Sequence, residues 1–373
     1  LDEEVLSWFN ELRKKKQRVT RRMIQNKAKE IYSKINILDE SATFVASVGW
    51  LQKFLLRHNL SCRMQTTVCQ KPPEFYEQEV VKFIVYVRNK LVSEDFSANC
   101  VYASDETAIW LDCSNSRCIA QKGSKEVSVL TSGHDKLRIT VFLTARMDGK
   151  KMKPYVLIPR KRPIPAIEKQ FGNKLVIAWA GNVWMTDDLT SDYLSRVLGD
   201  LSFEKRLLIW DAYRCHISQQ TKGKLKQMNV DTCVIPGGTT KFLQPGDVVL
   251  NCVFKSKIRE CYEEWMNNGE KSFTAAGNMR AAQPDVYLQW IVEAWDSIDE
   301  EMIVKSFKVC GIMKTDEFEL IHCLKPNGPC PNAFGLLKTS LSEESIDDLT
   351  NNFETIDLDQ DEENGYNSDS SIF

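Results

Sequence analysis

The sequence predicts an α/β protein: an all-α head, then a mixed β-sheet covered by helices. Three observations support this. The first 60 residues hold three amphipathic runs at helical spacing. From residue 101 onward, strand-like runs come first and alternate with helical runs afterwards. Between the two regions stands Gln70-Lys71-Pro72-Pro73, whose proline pair ends regular structure and stiffens the connection. With 373 residues, 43% of them hydrophobic and nine tryptophans, the chain has room for two or three domains and at least one sizeable core. Its net charge of −2 hides a division. Residues 1 to 70 carry 13 Lys and Arg against 7 Asp and Glu, whereas 11 acidic residues and no Lys or Arg follow Lys338.

In the head, Val5, Trp8, Phe9 and Leu12 share one helical face, with acids in front and Arg13-Lys14-Lys15-Lys16 behind, as a helix dipole favours. Thr20 suits the cap of a second helix with Ile24, Ala28 and Ile31 inward. Ser47 suits the cap of a third, with Trp50 or Leu51, Phe54 and Leu55 inward. Three short helices with a cationic surface describe a helix-turn-helix domain. Lysines on a helix are more often a solvated face than a nucleic-acid contact, so charge alone does not settle the role.

Beyond the linker, Glu74 to Val92 reads as one helix with Tyr76, Val80, Phe83, Val87 and Leu91 on a face. The alternation in Val101-Tyr102-Ala103-Ser104-Asp105 reads as a strand that carries Asp105 on one face and turns Glu106 to the other. Residues 127 to 130 and 137 to 143 read as antiparallel strands, and an Asp148-Gly149 turn leads to another at 155 to 158. A strand at 175 to 179 and a helix capped by Thr186 follow. The apolar run Leu207-Leu208-Ile209-Trp210 then stops on Asp211 at a strand tip. Next come a helix from Ser218 to Met228, a strand at 233 to 235, and a Pro-Gly-Gly loop. That loop ends in Leu243-Gln244-Pro245-Gly246-Asp247, where Asp247 is placed to cap a long helix from Val248 to Met266. Lys255 and Arg259 share one face of this helix, and Tyr287, Trp290, Ile291, Ala294 and Trp295 form the core face of a later one.

Asp105, Asp211 and Asp247 suit a hard divalent cation such as Mg²⁺, which takes a few carboxylates and keeps places for phosphate oxygens. Two such ions can hold the attacking and leaving oxygens of a phosphodiester. Spacing alone leaves a second account open, in which two of these are ordinary strand-end residues and the third is a helix cap. His216, five residues past Asp211, is expected to support the site or to begin the helix.

The segments SDETAIW, GHDKLRITVFLTARMDGKKMKP, WMTDDL, LLIWDAYRCH, VIPGGTTKFLQPGD and EEMIVKSFKVCG resemble, in order and spacing, the pogo and Tigger DDE transposases, including their vertebrate derivatives. The head pattern LSWFNELRKKKQRVTRRMIQNKAKEIY with FVASVGWLQKFLLRHNL resembles the helix-turn-helix domain of centromere protein B and the pogo group. The resemblance implies an RNase H-like catalytic domain with Asp105, Asp211 and Asp247 as catalytic and metal-ligand positions for Mg²⁺ or Mn²⁺. It also implies a head that binds double-stranded DNA, with Lys14, Lys15, Lys16, Arg18, Arg21 and Arg22 on phosphates. Two departures stand out. That group usually has a bulky apolar residue at the place of Gly246 and an Asn at that of Ala212, and Gly246 leaves room for a turned or displaced Asp247.

The expected domains are 1–69 for the helix-turn-helix, 74–330 for the RNase H-like DDE endonuclease and 339–373 for a disordered acidic tail. Phe353, Ile356 and Leu358 suit a protein partner of the tail. Twelve scattered cysteines without C-x-x-C pairing read as reduced thiols, not as a zinc site, and Cys113 and Cys118 lack histidines at finger spacing. No run approaches the roughly 18 apolar residues of a membrane span. Leu1 lies inside a helical pattern, so the natural start is expected upstream. A nuclear, DNA-binding, transposase-derived protein is the expectation, with a homo-oligomer allowed but its oligomeric state not given by the sequence. An active endonuclease and strand transferase is the alternative.

Overall fold

The computed structural model describes residues 1–15, 17–35, 44–63, 73–112, 119, 126, 128–134, 137–199, 202–313, 321–325 and 328–342. The chain divides into two compact units at Pro72-Pro73.

The first unit has three helices, α1 (Asp2–Lys14), α2 (Arg21–Ile35) and α3 (Val48–Arg57). Both expected caps form. Thr20 Oγ1 accepts from the Met23 N–H at 3.3 Å, and Ser47 Oγ from the Trp50 N–H at 3.2 Å. Val5, Ile24, Ala28, Ile31, Leu51 and Phe54 are buried together, with Trp50 stacked on Phe54 at 5.3 Å. An ion pair from Arg57 to Asp2 joins the end of α3 to the start of α1.

The second unit is built on a six-stranded sheet. Its strands are β1 (Val101–Trp110), β2 (Arg138–Arg146), β3 (Tyr155–Ile158), β4 (Val176–Trp179), β5 (Arg206–Asp211) and β6 (Val230–Ile235), in the order β4-β3-β2-β1-β5-β6. β1, β2 and β3 pair antiparallel, while β5 lies parallel to β1 and to β6. Meander first and crossovers afterwards is the order the sequence predicts. Residues 128–130 form no strand, contrary to expectation, and Val127 lies outside the described residues. Val129 and Leu130 are exposed, so their apolar alternation has no buried face to pair against.

Strand parity divides the core. Odd residues of β1 and β5, Val101, Ala103, Leu207 and Ile209, pack with the helices α4 (Glu77–Ser93), α5 (Pro165–Phe171), α10 (Asn251–Asn268), α11 (Pro284–Asp296) and α12 (Glu300–Val309). Even residues, Tyr102, Leu208 and Trp210, pack with α6 (Asp187–Tyr193) and α8 (Gln219–Gln227). Tyr287, Trp290, Ile291, Ala294 and Trp295 are all buried on the first of these faces. A last helix, Ala333–Ser342, runs into the segment expected as tail; the rest of that tail, with Phe353, Ile356 and Leu358, lies outside the described residues.

Candidate carboxylate site

Asp105 and Asp211 come level because β1 and β5 run parallel with Ala103 opposite Ile209, and each aspartate lies two residues further on. Equal parity puts both on the face that also receives α10. Asp105 is buried, 7% exposed. Asp211 ends its strand with its side chain 33% exposed. His216 stands on the short helix α7 (Arg214–Ile217), stacked on Trp210 at 4.3 Å, and its Nδ1 lies 2.6 Å from Asp211 Oδ1. That same oxygen accepts the Tyr213 N–H at 3.2 Å. Burial pushes the Asp211 carboxyl up, but the charge and hydrogen bond of His216, with the Tyr213 amide, outweigh it and hold the group below its ordinary value. His216 therefore takes the supporting role expected of it.

Asp247 does not cap a helix. After α9 (Thr240–Leu243), Pro245 already has helical angles (φ −54, ψ −35), and a π-helical turn, Gly246–Leu250, leads into α10. The Asn251 N–H reaches back five residues to the Gly246 carbonyl. Asp247 thus lies inside the first turn, exposed to solvent and near enough to Asp105 for the two charges to act on each other. Burial, then the charges of Asp247 and Asp211, raise the Asp105 carboxyl well above its ordinary value. Asp247 is raised too, first by burial of its carboxyl, although the residue as a whole stays exposed, and then by Asp211. A Thr240 hydrogen bond and the Lys255 charge oppose this. Asp247 thus lies near the other two carboxylates, with its charge acting on Asp105 and that of Asp211 acting on it.

Two residues that sequence reasoning missed hold Asp105. Gln244 Nε2 donates to Asp105 Oδ1 at 2.7 Å and to the Ser104 carbonyl at 3.1 Å, and Asn251 Nδ2 donates to Asp105 Oδ2 at 2.6 Å. Their carbonyl oxygens, Gln244 Oε1 and Asn251 Oδ1, are buried without a hydrogen-bond partner. The signal lay three residues before and four after Asp247, the latter on the same helical face. Gly246 explains the closeness. A Cβ there would stand 2.3 Å from Asp105 Oδ2 and 2.4 Å from Asp105 Cβ, and its φ is not left-handed, so close approach and not backbone freedom requires glycine.

Glu106 faces away as expected, and its charge is felt by Tyr213 and Cys215. Among the described residues, no three His, Cys, Asp or Glu side chains stand at metal-ligating spacing. Asp105 is turned to its amides and Asp211 to His216. The donor chemistry nevertheless fits a hard cation: three carboxylates and two unpaired amide oxygens. In the head unit, Lys14, Lys15, Arg18, Arg21 and Arg22 are exposed, and Lys16 lies outside the described residues.

Residues 136–307 match the DDE superfamily endonuclease model, which takes in Asp211 and Asp247 but begins after Asp105. Residues 1–64 match the Tc5 transposase DNA-binding domain. The chain is 32% identical over 326 residues to the pogo transposable element with KRAB domain of Mus musculus, covering 86% of this chain and 52% of that protein. The Homo sapiens protein of the same name shows the same identity and coverage. The Homo sapiens Jerky protein homolog is 25% identical over 358 residues, 89% of this chain and 61% of that one. The chain thus spans about half the length of the pogo-derived relatives. A solved Mos1 transposase paired-end complex with left transposon end shares the fold, with TM-score 0.51 and 11% identity over 89% of this chain and 78% of that one. Together with the helical head and the β3-β2-β1-β5-β6 core carrying in-register aspartates, these matches make the chain a member of the pogo and Tigger group of DDE transposase-derived proteins.

Proposed function

We propose that this is a nuclear DNA-binding protein of transposase descent, acting in DNA binding or transcriptional regulation, with residues 1–69 docking on double-stranded DNA. The observation that supports this most is the surface of the head unit. Its apolar side chains are gathered inside three helices, and Lys14, Lys15, Arg18, Arg21 and Arg22 are left at the surface. Cations there exchange condensed counterions for phosphate contact, so binding weakens steeply with salt. The test is a salt titration of duplex binding by the full chain and by an Arg18→Gln, Arg21→Gln, Arg22→Gln variant. Loss of three phosphate contacts makes the slope of log K against log salt shallower by roughly two to three. Equal slopes would remove these arginines from the interface.

A second reading assigns residues 74–330 to cutting and joining DNA with two Mg²⁺ or Mn²⁺ ions held by Asp105, Asp211 and Asp247. It is supported by the in-register placement of Asp105 and Asp211 and by the proximity of Asp247. A bound ion supplies Lewis-acid stabilisation of charge on the phosphodiester oxygens. The chain's own part is to orient Asp211 through His216 and Asp105 through its two amides, and to present Lys255 near Asp247. Metal-dependent cleavage of terminal-repeat DNA, lost in Asp211→Asn, is the expected result for an enzyme. Equal cleavage by both proteins would point to a contaminating nuclease and leave DNA binding as the function.

A further inference from the structure

The amides of Gln244 and Asn251 are arranged in a way that packing alone does not require. Each approaches Asp105 from a different side of the π-helical turn, and each gives a separate carboxylate oxygen a short hydrogen bond, 2.7 and 2.6 Å. Chemistry fixes which amide end points inward. A reversed amide would set its oxygen against a carboxylate oxygen, and Gln244 would also lose its bond to the Ser104 carbonyl. Both carbonyl oxygens are consequently left without a donor, in side chains that are 1% and 8% exposed as residues. Burying an acceptor without a partner costs stability, and an apolar side chain of similar shape would avoid that cost.

We propose that Gln244 and Asn251 are positioning residues of a divalent-cation site: they hold Asp105 in one orientation and keep two buried carbonyl oxygens for hydrogen bonds from the hydrated ion. This inference rests on the second reading above, that the three aspartates hold the ion. A freely rotating Asp105 would lose orientation entropy when it took up an ion, and neutral donors restrain it without adding a competing charge. Asn251 stands one turn after Asp247 on the same helix, so one rigid element carries both a carboxylate and the clamp on its neighbour. Gly246 is part of the same device. Only without a Cβ does this turn come close enough for Asn251 to reach Asp105.

The test is Mn²⁺ binding to the full chain, measured by calorimetry and by electron paramagnetic resonance, in wild type, Asn251→Leu, Gln244→Leu and Asp105→Ala. Each amide variant is expected to raise the Mn²⁺ dissociation constant about 10- to 100-fold, as loss of partners of metal ligands does elsewhere. Its metal-free melting temperature is expected to fall, because a buried Asp105 oxygen loses its donor, so affinities are measured well below the melting transition of each variant. Crystals of metal-free Asn251→Leu are expected to show Asp105 in a new rotamer. Unchanged Mn²⁺ affinity in both amide variants, with Asp105→Ala binding none, would overturn this inference while leaving the cation site intact. Absence of Mn²⁺ binding by wild type, or full binding by Asp105→Ala, would overturn the cation site and this inference together. Failure of both amide variants to fold would assign the amides a structural role and overturn it as well.

Discussion

Ser104 and Asp105 are neighbours on one strand, yet the polar clusters on the two faces they reach are built to opposite ends. On the Ser104 face, the hydroxyls of Ser104, Thr144 and Tyr193 close a triangle with sides of 3.1, 2.6 and 2.7 Å. Each hydroxyl both donates and accepts, so the ring is complete as it stands. Burial pushes the Tyr193 phenol up to about 12, which keeps its proton in place. On the Asp105 face, ionised carboxylates only accept, and three carboxyl groups share the space with two unpaired amide oxygens. A satisfied buried network rigidifies a core. An unsatisfied one with like charges marks a place that waits for a partner.

The strongest way to break this contrast is at Gly246. A leucine there places a Cβ inside the Asp105 side chain, and because the facing atoms belong to strand β1, the turn must move away. Overpacking of this kind costs typically 1 to 3 kcal/mol, and about 3 is expected here. Urea denaturation measures it, and a loss below about 0.5 kcal/mol would mean that the turn is free to shift. Next in size is Tyr193→Phe. Ser104 and Thr144 keep their mutual bond but lose the phenol, which costs about 1 to 2 kcal/mol. That loss should be the same with and without Mg²⁺, because the three hydroxyls bond to one another and not to the aspartates. A Mg²⁺-dependent loss would show that the two faces are coupled through the strand.

Much of this arrangement is legible in the residues, and where it is not the reason is physical. Strand periodicity locates Asp105 and Asp211 because apolar neighbours on both sides force one register on each strand. Thr20, Ser47 and Thr186 cap as expected, since a hydroxyl before an apolar-periodic run has one obvious donor to bind. Asp247 misleads because an aspartate after Pro-Gly looks like a cap, whereas Pro245 has already entered the helix and the turn is π. Gln244 and Asn251 carry no charge and break no pattern. Their role exists only once strand β1 lies against the turn, a contact more than 130 residues apart in sequence. Gly246 is visible as a departure, but its reason is the Asp105 side chain and not its own dihedral angles.

The smallest expected effect tests the electrostatic half of the contrast. Asp105 and Asp247 both have carboxyls raised above the ordinary value of 3.8, whereas Asp211 is lowered. A raised carboxyl contributes stability that is fully present below that ordinary value and is lost as pH rises through the folded value. Asp211 acts in the opposite sense, since its contribution is present above 3.8 and lost as pH falls through its lower folded value. In metal-free protein, the Asp105 and Asp247 pair therefore loses stability as pH climbs from about 4 toward neutrality. Asp247→Asn removes one of the repelling charges, and its amide oxygen still accepts the Thr240 hydrogen bond. At pH 7.5 in a chelator the variant should be more stable than wild type by a few tenths to about 1 kcal/mol, a small gain because Asp247 faces water. At pH 4.5 the two proteins should be nearly equal, and millimolar Mg²⁺ at pH 7.5 should restore the advantage to wild type. Chemical denaturation at the two pH values, with and without Mg²⁺, reads all four comparisons. A variant less stable than wild type at both pH values in chelator would mean that the carboxylates do not repel one another, and the open face would lose its claim to be a cation site.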